Sequence, residues 1–186
     1  TVDNYEVIIT DNSPDDKLEK LVRTYGMPIK YFKNPKKGMA ANTNQAMRLA
    51  SGDLVKVLYM DDYFAHKNAL RDILDTFRGA WLISATDDNK NPRYTQDIHT
   101  GNNKLGSPSA LTVSSRVDIQ FDEEMSWLLD CDFYKRMYEQ HGEPVILKKV
   151  NVNIGKGKHQ MTHILTDEDK DLELRYMQNK HETPTT

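Results

Sequence analysis

Asp61 and Asp62 stand side by side after an apolar run, LVKVLYM, at residues 54–60. Adjacent carboxylates repel one another unless a cation or hydrogen-bond donors neutralise them. Oxygen ligands of this kind suit Mg2+ or Mn2+, and either ion would also bind a diphosphate. The plainer alternative is a solvated turn, or a cap for a helix starting near Lys67. Asp11 closes a second apolar run, YEVIIT at residues 5–10. Its carboxylate could accept from a ring N–H or a ribose hydroxyl, or simply form an Asx-turn. Lys36, Lys37 and Gly38 precede a helical pattern, where backbone N–H groups and a cation could meet a phosphate. A solvated basic turn is the ordinary alternative. Asp130 and Asp132 are two apart in a helical stretch led by Trp127, so they face different sides. One could face a cleft and take a proton from a hydroxyl as general base. The other is then solvated or paired with Arg136, four residues on from Asp132. His159 and His163 have a metal-chelating spacing for a helix, but Gly155 and Gly157 argue for a loop there.

The elements that must position these groups follow from apolar spacing. Residues 5–10 read as a buried strand ending in Asp-Asn-Ser-Pro. Residues 15–25 carry Leu18, Leu21, Val22 and Tyr25 at helical spacing, with Gly26 as the stop. A strand at 29–32, a loop at 34–38, a helix at 39–50 and a strand at 54–60 come next. A helix at 67–77 and a strand at 80–85 follow. Residues 86–105 form a long polar excursion, read as a hairpin or a mobile loop. A strand at 109–114, a helix at 125–141 and an extended run at 145–154 come after it. Residues 155–163 read as a polar loop, 167–180 as a charged helix and 181–186 as a frayed tail. Alternating strands and helices imply parallel strands with right-handed crossovers. In such sheets ligands sit at the carboxyl ends of strands. Asp11, the Asn34–Gly38 loop and Asp61-Asp62 are then expected on one edge of one sheet.

Composition narrows the function classes. The chain has 186 residues, 38% hydrophobic and 28% charged, which is enough apolar material for one core. A net charge of −3 argues against a partner held through a broad basic field, so nucleic acid is not expected. Cys131 is the one cysteine, which rules out an internal disulfide and a Cys-rich zinc site. No apolar run is long enough to span a bilayer, and no signal peptide pattern opens the chain. The expected setting is reducing cytoplasm.

Four stretches together resemble the family 2 glycosyltransferases, which have the GT-A nucleotide-sugar-binding fold. They are EVIITDNSPDD (6–16), NPKKGMAANTNQAMRLASGDLVKVLYMDDYF (34–64), GSPSALTVSS (106–115) and FDEEMSWLLDCDFYKRM (121–137). Their order and spacing match from about residue 5 to 142, and the second stretch is the most specific. The resemblance implies an α/β domain with a mostly parallel central sheet over residues 1–165, then a charged helix and tail at 166–186. The family's opening strand and helix have no counterpart ahead of Tyr5. By the same resemblance Asp11 contacts the nucleotide base, Lys37 lies near base and phosphates, and Asp61 contacts ribose or sugar. Asp62 would ligate Mn2+ or Mg2+ on the donor diphosphate, with His159 ahead of His163 as a further ligand. Asp130 matches the general base of inverting members. The residue before it is usually acidic and here is Leu129, so Asp132 stays open as the base.

The implied activity is transfer of a sugar from a nucleotide-diphosphate sugar to a glycan or other hydroxyl acceptor, with a divalent metal and inversion. Two alternatives have their own signatures. A sugar nucleotidyltransferase wants a Gly-rich basic loop after its first strand, and none is seen. A non-catalytic or truncated nucleotide-sugar or glycan-binding module would keep the fold without the transfer. Donor identity, acceptor and oligomeric state, a homo-oligomer included, are left open.

Overall fold

The structure is a computed structural model and describes residues 2–157 and 160–182. It contains two sheets. β1 (Val7–Asp11) and β2 (Ile29–Lys33) form a parallel pair, joined by α1 (Lys17–Thr24). α2 (Met39–Leu49) leads to β3 (Leu54–Lys56) in a separate five-stranded sheet. That sheet also contains β4 (Tyr63–Phe64), β5 (Trp81–Thr86), β6 (Leu111–Ser114) and β7 (Val145–Asn153), in the order β3-β6-β5-β7-β4. The remaining helices are α3 (Ala69–Thr76), α4 (Leu129–His141), α5 (Met161–Ile164) and α6 (Asp167–Glu182).

The α/β class and the order of the main elements are as the sequence implies, but the sheet is mixed. Within the larger sheet β5–β7 is the parallel pair, while β3–β6, β5–β6 and β4–β7 are antiparallel. Nor do the polar strand ends share one sheet: Asp11 ends β1 in the small sheet, and Asp61-Asp62 lie by the large one. The strand expected at 54–60 stops at Lys56, because the chain beyond it leaves the ladder with β6. Residues 86–105 hold no hairpin among the described residues. They contain a 3-10 turn (Ile98–Thr100), with Ile98 and Leu105 buried in the core. The helix expected from residue 125 begins at Leu129, and the loop after β7 ends in the short α5. The expected tail begins too early, since His181 and Glu182 belong to α6.

Packing follows the pleat of β5, whose six residues are all buried. Trp81 and Ile83 face the main core with Phe133, Tyr134 and Met137 of α4. Leu82 points to the other face, against Ile73 of α3 and Leu147 of β7. Successive strand residues alternate in this way, so one strand serves two layers. Trp81 stacks on Tyr134 at 5.9 Å, and its indole N–H donates to the Gly142 carbonyl at 3.0 Å. α6 closes the main core through fully buried Met177 and the adjacent Leu174. Among the described residues no helix is long and apolar enough to cross a membrane.

α2 joins the two sheets. The Asn42 amide donates to the Thr10 carbonyl at 2.9 Å, and the Thr10 hydroxyl returns a bond to the Asn42 carbonyl at 3.0 Å. One residue on, the Thr43 hydroxyl lies 3.3 Å from the Tyr59 hydroxyl, beyond β3. Asn44 exchanges bonds of 2.8 Å with the backbone of Phe121, on the approach to α4.

Candidate active site

The Asp61-Asp62 pair is placed by β4. In the antiparallel register Tyr63 faces Asn153, and continuing it by two residues sets Asp61 opposite Gly155. The Gly155 N–H donates to Asp62 Oδ1 at 2.8 Å. A Cβ on Gly155 would lie 2.3 Å from Asp61 Oδ2, so only glycine lets the two backbones approach this closely. The Ser109 side chain also hydrogen-bonds Asp62, while its Oγ accepts the Tyr59 N–H at 2.8 Å. Burial nevertheless raises the Asp62 pKa, and repulsion from Asp61 and Asp88 adds to this. Desolvation, the largest of these effects, outweighs the Ser109 and Gly155 bonds.

Lys56 supplies a nearby cation. Its ammonium donates to the Ser109 carbonyl and, at 3.2 Å, to that of Leu111, where β3 leaves β6. Desolvation pushes its pKa down to about 7, with Asp62 opposing the shift. A lysine inside an apolar run is a visible signal in LVKVL, but its partners are not.

Asp130 lies in the first turn of α4. The Asn103 amide donates to its Oδ2 at 2.8 Å, and the Cys131 N–H to its Oδ1 at 2.8 Å. Burial dominates these bonds and raises its pKa to about 6. Asp130 acts electrostatically on the hydroxyls of Tyr59 and Tyr134 and on the thiol of Cys131, and Asp62 also acts on Tyr59. Asp62 and Asp130, far apart in sequence, thus both act electrostatically on Tyr59.

Asp132 has a different environment. It is 0% exposed, with Oδ2 taking two bonds from Arg136, at 2.9 and 2.6 Å. Its Oδ1 lies 2.8 Å from both Lys180 and His181. Burial opposes ionisation, but these partners outweigh it and hold the Asp132 pKa well below the usual carboxylate range. The expected pairing with Arg136 is present, and α6 completes the set.

Asp11 is 4% exposed at the end of β1. It accepts from the Ser13 N–H at 2.8 Å, the Tyr31 hydroxyl at 2.6 Å and Lys33 at 3.0 Å. The Ser13 bond is the Asx-turn allowed by the sequence. Burial would raise its pKa, but these bonds keep it ionised and well below the ordinary range. Lys37 is exposed on the loop before α2, while its neighbour Lys36 pairs with Glu123. His163 is exposed on α5, and His159 lies outside the described residues. Among the described residues no group of three or more His, Cys, Asp or Glu side chains is placed to hold a metal ion. Asp61 and Asp62 nonetheless fit Mg2+ or Mn2+ chemically, because such ions often take one or two carboxylates and complete their shell with phosphate and water. Sequence reading missed Tyr59, Ser109, Asn103 and Gly155, whose roles depend on contacts across the fold.

The larger arrangement has known counterparts. Comparison with curated proteins returns no match. Among solved structures, S. aureus TarS 1-349 superposes with a TM-score of 0.62 at 20% identity, covering 95% of this chain and 62% of that one. Its complex with UDP-GlcNAc gives a TM-score of 0.64 at 17% identity, covering 92% and 56%. The complex with UDP gives 0.61 at 19%, covering 97% and 63%. At these identities the likeness establishes the fold, and the chain spans roughly three fifths of the TarS fragment. The family model described as glycosyl transferase family 2 matches residues 1–100, more than half of the 186. With that match, and with the fold and carboxylate placement already described, the chain belongs to glycosyl transferase family 2.

Proposed function

We propose that this chain binds a uridine-diphosphate sugar and transfers the sugar, with inversion, to a hydroxyl of a glycan or other acceptor. The observation that carries this reading is the Asp61-Asp62 pair, held beside β7 by the Gly155 N–H, together with Asp130, held by Asn103 with its pKa raised to about 6, in a chain of glycosyl transferase family 2. The UDP and UDP-GlcNAc complexes of TarS support the uridine nucleotide.

In this reading Asp130 accepts the proton of the acceptor hydroxyl as its oxygen bonds to the anomeric carbon. The bond from that carbon to the diphosphate oxygen breaks on the opposite side, and UDP leaves with the electron pair. One displacement inverts the carbon. Asp62, with Asp61 and the sequence candidate His159, would hold Mn2+ or Mg2+. The ion supplies charge neutralisation of the leaving diphosphate. Lys37 adds an exposed cation for the same phosphates, and Asp61 also reaches the ribose or sugar. Asp11, kept ionised by Tyr31 and Lys33, is suited to a base N–H.

Thermal denaturation with UDP, GDP, CDP or ADP, each with and without Mn2+, tests the binding. UDP with Mn2+ raises Tm, because a ligand that binds only the native state stabilises it. Asp62→Ala removes the Mn2+-dependent part. No shift with any nucleotide overturns the reading. Turnover of UDP-GlcNAc should rise with pH through about 6, as Asp130 loses its proton. Asp130→Asn should lower kcat on the order of 10²–10⁴-fold.

A further inference from the structure

α6 reaches the catalytic helix at a particular point. The Glu173 carboxylate accepts the Ser126 N–H at 3.0 Å and the Trp127 N–H at 2.7 Å, and also that of Leu128. These three consecutive amides lead directly into α4, whose first residue is Leu129 and second is Asp130. The residue at α4's N-cap, Leu128, makes no side-chain cap bond. The cap comes instead from a residue 45 positions from Leu128 in sequence. Lys170, one turn earlier on α6, lies 5.9 Å from the centre of the Trp127 ring.

We propose that Glu173 is a positioning residue for Asp130, fixing through three backbone N–H groups the turn that holds the general base. This rests on the reading of Asp130 given above. A carboxylate spanning successive amides fixes both the position and the direction of that backbone, and charge-assisted bonds of this type are stronger than neutral ones. The groups facing Asp130 are Asn103, Tyr59, Tyr134 and Cys131. Asn103 and Tyr59 come from two other parts of the chain, so a small shift of the first turn changes their distances to Asp130 together. Loss of the Glu173 cradle lets the turn open, and Asp130 becomes better solvated.

The test uses the full chain carrying Glu173→Ala, with Glu173→Gln as the conservative variant and Tyr176→Phe as the control. Tyr176 is also on α6, but its hydroxyl bonds Asp122, 3.0 Å away, and not the 126–128 backbone. Carboxyl NMR titration of Asp130 is read beside UDP-GlcNAc turnover with Mn2+. In Glu173→Ala the Asp130 midpoint should fall from about 6 towards the ordinary carboxylate range. kcat should fall about tenfold or more, with KM for the donor unchanged, as expected when a reacting group is misplaced. Glu173→Gln retains an acceptor oxygen, should shift less in the same direction, and serves where the alanine variant does not fold. Tyr176→Phe should leave the Asp130 midpoint in place. An Asp130 titration that does not move in either Glu173 variant overturns the proposal. A wild-type chain that turns over no donor, yet shows the titration shift on losing Glu173, upholds the positioning while removing the proposed reaction.

Discussion

At Gly155 the absence of a side chain sets the geometry of two acids. Its N–H holds Asp62 while its α-carbon packs where a methyl group would overlap the Asp61 carboxylate and carbonyl. Neither clash is with the loose end of a long side chain, since Asp61 is short and its backbone is involved. Gly155→Ala should therefore cost about 1–3 kcal/mol in urea unfolding, the usual range for overpacking. It should also reduce donor turnover on the order of 100-fold, the scale expected for a misplaced reacting group. An alanine variant with wild-type stability and turnover would show that the pair does not depend on this contact. In the sequence, Gly155 was one of several glycines in a polar stretch. Its constraint became visible only through the β4–β7 register, which sets residue 61 against residue 155.

At the scale of elements, α4 and α6 form the joint that separates the two acids of the first turn of α4. Helical spacing shows that Asp130 and Asp132 face different ways, but not which partners each of them meets. α6 decides it, by bringing Lys180 and His181 onto Asp132 while Asp130 accepts the Asn103 amide. Lys180 also bonds Asp122 at 2.6 Å, so the joint includes the approach to α4. Asp132→Asn leaves Arg136, Lys180 and the nearly buried His181 without their shared anion. The loss should be about 3 kcal/mol by urea denaturation, at the low end for a broken buried pair because Arg136 and Lys180 keep some solvent. The pH dependence has a definite sign. The Asp132 pKa is lower folded than unfolded, so its contribution is complete above the unfolded value near 4 and is lost as pH falls towards the folded one. Acid titration of stability should therefore be shallower in Asp132→Asn than in the wild type.

Across the whole molecule, the two sheets differ in how firmly they are built. β5 is buried along its full length, whereas α1 has no buried residue and Leu21 and Tyr25 are exposed. β2 buries none of its residues either. α2 ties the small sheet to the large one by the Thr10–Asn42 bonds and by Thr43 against Tyr59. Units with little buried apolar surface open at lower free energy than the core. Amide hydrogen exchange should accordingly be faster in α1 and β2 than in β5 by several orders of magnitude. Equal protection in both would mean that the small sheet opens only with global unfolding. UDP binding should slow exchange at the end of β1, where Asp11 sits, if that residue takes the nucleotide base.

The sequence alone determined most of the periodic elements, Asp11 at a strand end and the long 34–64 stretch on which the family resemblance stands. Local physics suffices for these, because apolar spacing reports which face of a segment is buried, and turn residues mark where it stops. Tertiary structure alone decided the strand directions in the mixed sheet and the early end of β3. It also gave Asp130 and Asp132 different surroundings and brought in Tyr59, Asn103, Gly155 and Glu173. Strand direction depends on which neighbour supplies the hydrogen bonds, and an acid's titration depends on what surrounds it. Both are set by residues tens of positions away, as when Asn103 meets Asp130 and Gly155 meets Asp62.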